Sequence, residues 1–191
     1  MKKMANAANK NLYDLFTSSS IDIIRAESKT PEFSLKKSNV PEAHLKFIQE
    51  LSCIMLISEE MKIIFKIHYW LSDAIQILNK VQLNRRDPLV QEYKAKDLFK
   101  EISNVIAGRI KYRLCSGGLK IVHSLPLSLD GYNQIFFPKQ KLREYWCTWL
   151  LKHEKIEIVC SATTIFLSQQ AIKNMCDFKL KTSKPTEVEI F

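Results

Sequence analysis

The 191-residue sequence lacks the segments that tie a protein to a membrane, and it lacks paired cysteines. No run of apolar residues approaches the roughly 18 that a membrane span requires. The first residues include lysines, but asparagines follow where a signal peptide needs an apolar core. The five cysteines form no CxxC pair, and an odd number without a signal peptide is typical of reduced thiols in a cytosol. We therefore expect a soluble cytoplasmic protein.

Metal-ligand and phosphate-loop patterns are also absent. The four histidines are scattered, and none stands four residues from another histidine or from a cysteine, so we assign them to the surface or to strand packing. They are His44, His68, His123 and His153. Gly117-Gly118 is interpreted as a helix stop and not a phosphate loop, because no strand precedes it and no Lys-Ser/Thr pair follows.

The chain has no dense cluster of lysine and arginine, although its net charge is +9. The positive charges are spread along the sequence in pairs such as Lys36-Lys37 and Arg85-Arg86. A basic balance favours an acidic partner, which can be a nucleic acid, an anionic membrane surface or an acidic protein. No segment matches a motif that recognises nucleic acid, so we expect no nucleic-acid binding. A basic protein associated with nucleic acid is kept as the second alternative.

The first part of the sequence predicts a helix, a loop and a β-hairpin. Scattered apolar side chains predict one helix from the start of the chain through Ile24. Prolines among serines and lysines indicate a loop or an irregular edge at 27–42. The stretch 45–57 is mostly apolar and 61–70 alternates apolar and polar residues. We therefore expect two paired strands that turn at Ser58-Glu59-Glu60.

Two helices are expected after the hairpin. Ser72-Asp73 supplies an N-cap for a short amphipathic helix. Asp87-Pro88 favours a second start, because a capping carboxylate precedes a proline at the first helical position. The second helix extends to about Leu114 and stops at Ser116-Gly117-Gly118. Such a helix is long for a compact domain, which favours a break near Lys94.

The rest of the sequence predicts strands, a closing helix and a polar tail. The strands are expected at 119–124, 133–138, 143–151 and 155–163, and the helix at 168–176. This order is typical of an α+β fold, a mostly antiparallel sheet with two long helices packed on one face. We divide the chain into an N-terminal extension with a helix, a central domain, and a C-terminal helix with a polar tail. Their bounds are 1–40, 41–167 and 168–191.

One face of the second helix carries residues that suit chemistry. At about 100° per residue, four residues fall within about 60° of one another. They are Asp97, Glu101, Asn104 and Gly108. A separate apolar stripe must face the sheet, and it comprises Leu98, Ile102, Val105, Ile106 and Ile110. A glycine inside a helix costs about 1 kcal/mol relative to alanine, which suggests that something approaches the backbone closely at Gly108.

The Glu101/Asn104 spacing alone is weak evidence, because such a pair is usually a solvated helix face. The longer string is more specific. It consists of Asp97, Glu101, Asn104 and Gly108, then Leu114, Gly117-Gly118, Ser124-Leu125-Pro126 and Gly131. This string resembles the chemotaxis phosphatases of the CheX/CheC/FliY family, and it is more similar to CheX than to CheC. Those proteins carry a D-x-x-x-E-x-x-N-x-x-x-G helix, a strand ending in S-L-P, and a glycine five residues past the proline.

The resemblance implies a protein phosphatase that hydrolyses the aspartyl phosphate of a CheY-like response regulator. Glu101 and Asn104 are then the candidate catalytic residues. Asn104 orients the attacking water, and Glu101 docks the regulator through a lysine of its active site. Gly108 gives clearance for the regulator, and Asp97 is assigned to a structural or rim position. No cofactor is expected in this chain, since the Mg²⁺ is expected in the partner response regulator.

The sequence also departs from the family pattern. The hairpin turn lacks the expected glycine, and the single E-x-x-N excludes the two-site arrangement of CheC-like relatives. The first 40 residues and the tail after 165 have no counterpart in the pattern. The main alternative is therefore a non-catalytic module of the same fold that binds a response regulator or a flagellar-switch protein. Tyr145, Trp146 and Trp149 indicate core or dimer packing, and the resemblance to CheX makes a homodimer through sheet edges a further expectation.

Overall fold

The computed structural model describes residues 2–37, 50–81, 87–130 and 143–178. The helices and strands within these ranges are, in chain order, α1 (Lys2–Glu27), β1 (Ser34–Lys37), β2 (Glu50–Ile57), β3 (Met61–Tyr69), α2 (Leu71–Val81), α3 (Pro88–Ser116), β4 (Val122–His123), β5 (Leu127–Asp130), β6 (Arg143–His153), β7 (Ile156–Phe166) and α4 (Gln169–Asp177). Outside the described residues lie His44, Gly131, the strand predicted at 133–138 and the tail from 179.

The strands of the described ranges form one seven-stranded antiparallel sheet. Its order is β1-β6-β7-β3-β2-β4, and β5 also pairs with β2. β2 and β3 form the predicted hairpin. The Ser58 side chain holds the turn that lacks glycine, because its Oγ accepts hydrogen bonds from the backbone N–H groups of Glu60 (3.2 Å) and Met61 (3.0 Å). A serine side chain thus supplies the turn bonding at this position.

The helices pack on one face of the sheet. Alternate residues of the central strand β3 face the helices, as the two-residue period of a strand requires. They are Ile63, Phe65, Ile67 and Tyr69, and they share one hydrophobic core with side chains from all four helices. Trp149 on β6 is fully buried there, stacked 6.3 Å from Phe16 and donating from Nε1 to Ser20 Oγ at 2.8 Å. Of the two packing roles predicted for Trp149, the core role is confirmed.

α3 runs without interruption, so the break expected near Lys94 is wrong. Ala95 and Phe99, just after that point, are fully buried and hold the helix against the core. The predicted start is confirmed, with Asp87 accepting a hydrogen bond from Leu89 N at 2.8 Å. The predicted stop is also confirmed, and Gly118 follows it at φ 93°, a conformation that side chains disfavour.

Two strand predictions are corrected in detail. The irregular edge predicted at 27–42 contains β1, which pairs with β6 at the margin of the sheet. The stretch 119–124 has strand geometry only at β4, which pairs with the last two residues of β2. Both strands depend on long-range partners, and their short local sequences carry little periodicity.

The predicted α+β fold, a mostly antiparallel sheet with two long helices on one face, is confirmed. α1 and α3 are the long helices. The helix predicted near the N-terminus buries Leu12, Leu15 and Phe16 in the same core as the central strands. The division at 40 and 167 stays a prediction. No helix among the described residues is long and apolar enough to cross a bilayer.

Candidate active site

The inward face of α3 packs on β2 and β3. Its buried residues, which define that face, are Ala95, Phe99, Ile102, Ser103, Ile106, Ala107, Ile110 and Leu114. Of the predicted apolar stripe, the three isoleucines are buried as expected, whereas Leu98 and Val105 are only half-buried at the margin of the inward face. The stripe is centred closer to Phe99, whose ring stacks on Tyr69 with centroids 3.9 Å apart.

Polar side chains on the inward side of α3 tie the helix to β2. Ser103 Oγ donates to Ser52 Oγ at 2.7 Å in a buried hydrogen bond. Lys96 Nζ lies 3.1 Å from Glu50 Oε1 on β2, and it also lies 3.2 Å from Glu92 Oε1, one turn earlier on α3 itself. Sequence reasoning missed these contacts, although Lys96 and Ser103 fall on the apolar side of the helix at 100° per residue. The contacts fix the position of α3 on the sheet.

α1 supports one flank of α3. Arg109 Nη2 lies 2.9 Å from Asp22 Oδ2. Arg113 Nη1 donates to Ser18 Oγ at 2.7 Å and to Ser19 Oγ at 3.1 Å. The C-terminal half of α3 is therefore held by polar contacts from a second helix as well as by the core.

The outward face of α3, defined by Asp97, Glu101, Asn104 and Gly108, lies towards solvent. Glu101 is exposed and the other three are half-buried. Throughout the described ranges, neither the Glu101 nor the Asn104 side chain has a hydrogen-bond or ion-pair partner. The structure thus brings the four predicted residues together on one continuous helix. It leaves a carboxylate and a carboxamide side by side and accessible to another molecule.

Asp97 is already paired within the chain. Lys100 Nζ donates to Asp97 Oδ1 at 2.9 Å, and the same nitrogen lies 5.9 Å from the centroid of the Tyr93 ring. An exposed pair of this kind contributes at most about 1 kcal/mol to stability. Asp97 therefore differs from Glu101, because its carboxylate has a partner in the free protein.

Gly108 borders open space. A Cβ atom built at this position meets no heavy atom of the described residues within 4 Å. Packing inside the protein therefore does not require glycine here. The helix accepts about 1 kcal/mol of lost propensity at a position where the chain itself leaves room for alanine.

The serine of Ser124-Leu125-Pro126 joins the end of β4 to β2. Ser124 N donates to Met55 O at 2.8 Å, and Met55 N donates to Ser124 Oγ at 3.1 Å. β4 and β5 both contact α3, so this segment follows the edge of the sheet beside the helix. The serine is structural, whereas Leu125 is exposed.

The remaining candidates for chemistry are buried or isolated. His68 is buried with Nε2 3.1 Å from Ser161 Oγ, and burial lowers its pKa to about 3. All five cysteines are free thiols, and burial raises the pKa of Cys147 to about 12. A buried thiol of this kind does not form a nucleophilic thiolate at neutral pH. In the part of the chain that the structure describes, no three His, Cys, Asp or Glu side chains cluster as metal ligands.

Comparison with protein-family models gave no match, and neither did comparison with curated proteins. Solved structures do match. A chain of the CheX–CheY–BeF₃–Mg²⁺ complex from Borrelia burgdorferi superposes with a TM-score of 0.66 at 12% identity, covering 80% of this chain and 97% of that one. A chemotactic CheC-like protein from Shewanella oneidensis MR-1 gives 0.65 at 16% identity, covering 82% and 99%.

A chain of the FliM–SpeE complex from H. pylori also matches, with a TM-score of 0.57 and 10% identity over 92% of this chain and 95% of that one. The protein therefore has the CheX/CheC fold, and the resemblance predicted from its sequence is confirmed at the level of fold.

Proposed function

We propose that this protein hydrolyses the aspartyl phosphate of a CheY-like receiver domain, with Glu101 and Asn104 as the acting pair. One observation carries the proposal. On a helix whose inward polar side chains are anchored to β2, these two adjacent side chains face solvent with no partner among the described residues. The fold, which a chain crystallised with CheY shares, supports it.

Asn104 is the residue we assign to the attacking water. In the hydrolysis, the water oxygen bonds to phosphorus as the bond to the aspartyl oxygen breaks, which releases inorganic phosphate and a free carboxylate. The reaction needs the water held in line with the breaking bond. A carboxamide has both a donor and an acceptor, so it can orient the water and contact a phosphoryl oxygen. It does not titrate, so its role is positioning and not general base catalysis.

Glu101 is the residue we assign to docking. Its exposed carboxylate can pair with a lysine of the receiver and so place the Asn104 amide against the phosphoryl group. Orientation of this kind is worth up to several kcal/mol in rate. We assign the Mg²⁺ that neutralises the phosphate to the receiver and place the reaction in the cytoplasm.

The other two residues of the outward face have supporting roles in this proposal. Gly108 gives the receiver surface room to approach the helix backbone. Asp97, paired with Lys100, lies at the rim of the contact. A homodimer through the sheet margins, β1 on one side and β4 with β5 on the other, belongs to the same proposal.

The second candidate is a binding module without hydrolytic activity. The likeness to a chain of the FliM–SpeE complex favours it, because that chain was crystallised with a protein partner. In this alternative Glu101 and Asn104 contact a partner and no bond is broken. The two candidates share one surface and differ only in the fate of the phosphoryl group.

The decisive assay follows decay of phosphoaspartate on receiver domains from the same genome. Wild-type protein should accelerate decay of at least one receiver. Asn104→Ala should remove most of that acceleration, about 100-fold at saturating receiver, because the water loses its orientation. Glu101→Gln should mainly raise the receiver concentration needed for half-saturation. Unchanged decay with wild type across the receivers would favour the binding module, and an Asn104→Ala variant as fast as wild type would refute the site.

A further inference from the structure

We infer that Tyr93 and Tyr112 are the recognition residues of this surface, two exposed rings at either end of the outward face that contact the receiver and set its affinity. The inference rests on the proposed function, since it names residues that bind the same partner. Tyr93 is 66% exposed and Tyr112 is 70% exposed. Tyrosine is enriched at protein interfaces, because its ring is apolar and its hydroxyl can stay hydrated.

Helical geometry places both rings beside the acting pair. At about 100° per residue, Tyr93 and Tyr112 each fall within about 60° of Asp97, as Glu101 and Asn104 do. Tyr93 precedes Glu101 by two turns, and Tyr112 follows Asn104 by two turns. The polar pair therefore lies between two aromatic side chains on one side of one continuous helix.

The spacing of the rings fits one protein interface. A rise of about 1.5 Å per residue puts the two Cα atoms about 28 Å apart. A standard interface buries about 800 Å² on each partner, a patch about 28 Å across. A globular domain seated over Glu101 and Asn104 would therefore reach both rings at its margins.

The tyrosines suit recognition because their support is rigid. Tyrosine is enriched among the residues that dominate binding energy, since it buries a large ring with few rotatable bonds. Both side chains project from a helix that is anchored to the sheet through Ser103 and Lys96. Lys100 Nζ, 5.9 Å from the centroid of the Tyr93 ring, also packs beside that ring. The helix backbone that carries the rings therefore does not have to be ordered when a partner binds.

Charge selects the occupant of the surface. Three lysines, Lys94, Lys100 and Lys111, also fall within about 60° of Asp97 on α3, against the two carboxylates of Asp97 and Glu101, and the chain carries a net charge of +9. A phosphorylated receiver presents a phosphoryl group among carboxylates, so its surface complements these lysines. A second copy of this basic chain would place like charges together, which disfavours it at this position.

The test is a titration of the full-length protein with a receiver domain activated by beryllofluoride and Mg²⁺, paired with the dephosphorylation assay. Tyr93→Ala and Tyr112→Ala should each weaken binding about tenfold. They should raise the half-saturating receiver concentration by the same factor, with the rate at saturation within about twofold of wild type. Tyr93→Phe and Tyr112→Phe keep the ring and should stay close to wild type. Alanine favours helix, so the variants should fold.

Met4→Ala is the control, an exposed apolar residue at the start of α1, beside Cys176 and away from both the outward face and the sheet margins. It should change binding by no more than about twofold. Wild-type affinity in both tyrosine variants, with hydrolysis still dependent on Asn104, would overturn the inference and leave the proposed function standing. Binding without hydrolysis by wild type would refute the proposed function, and the same titration would still decide on the tyrosines. If the wild-type protein neither bound nor hydrolysed any receiver, both the proposed function and the inference about the tyrosines would be refuted.

Discussion

The two faces of α3 differ in how their polar groups are satisfied. On the inward side, Ser103 bonds to Ser52 and Lys96 pairs with Glu50, so each contact holds the helix to the sheet. On the outward face, Glu101 and Asn104 have no partner within the described ranges. One helix thus separates residues that hold the fold together from residues that are available to a partner. Substitutions on the inward side should lower stability, and those on the outward face should change activity.

The largest effect is expected from Phe99→Ala on the inward face. Phe99 is fully buried against Tyr69, so removing its ring should cost about 3–5 kcal/mol of unfolding free energy. The matched outward variant is Glu101→Ala, which should change stability by no more than about 0.5 kcal/mol. Urea unfolding measures both. Equal losses at the two positions would break the distinction between the faces.

The buried hydroxyl pair gives the next effect. Ser103→Ala leaves Ser52 Oγ without its partner and should cost about 1–3 kcal/mol. Ser52→Ala should cost a similar amount, and the double variant should cost less than the sum, because it leaves no orphaned hydroxyl. A double-mutant cycle in urea measures the coupling. Strictly additive losses would show that the two hydroxyls do not stabilise α3 as a pair.

Acid should destabilise the fold through His68. Its pKa is about 3 in the folded protein, against 6.5 for a histidine exposed to water, because burial disfavours the charged ring. The unfolded chain therefore binds the extra proton between these values. The contribution of His68 to the free energy of unfolding is fully present above pH 6.5. It is lost as pH falls towards 3, by about 1.4 kcal/mol per pH unit. His68→Gln should flatten this dependence in unfolding measured from pH 7 to 5. His153→Gln, half-buried beside Phe33, is the control, and an unchanged slope with His68→Gln would refute the assignment.

The smallest effect on stability is expected at Gly108, where the substitution should stabilise the fold. This sign distinguishes the outward face of α3 from the inward face. Gly108→Ala should raise unfolding free energy by up to about 1 kcal/mol, because helix propensity improves and the added Cβ has room. The same variant should weaken receiver binding if the helix backbone is approached there. Gly118→Ala is the contrasting control. Its φ of 93° should make alanine destabilising by about 1 kcal/mol without an effect on binding. A stabilised Gly108→Ala variant that binds receiver normally would remove the clearance role.

Much of the fold followed from local patterns. Capping at Asp87, the stop at Gly117-Gly118 and strand periodicity placed α3 and the hairpin within a few residues. The outward face also followed, because 100° per residue needs only a continuous helix. β1 was not assigned as a strand, since its pairing with β6 lies far away in sequence. The Ser103–Ser52 hydrogen bond could not be predicted for the same reason, because the local sequence around Ser103 does not indicate which distant residue it contacts.

The most direct test compares two neighbouring residues on different faces, Ser103 and Asn104. Phosphoaspartate decay on a receiver domain is measured per folded molecule for Ser103→Ala and Asn104→Ala, together with their urea unfolding. We predict that Ser103→Ala loses stability and keeps the wild-type rate, whereas Asn104→Ala keeps stability and loses most of the acceleration. An Asn104→Ala variant that hydrolyses as fast as wild type would contradict the account.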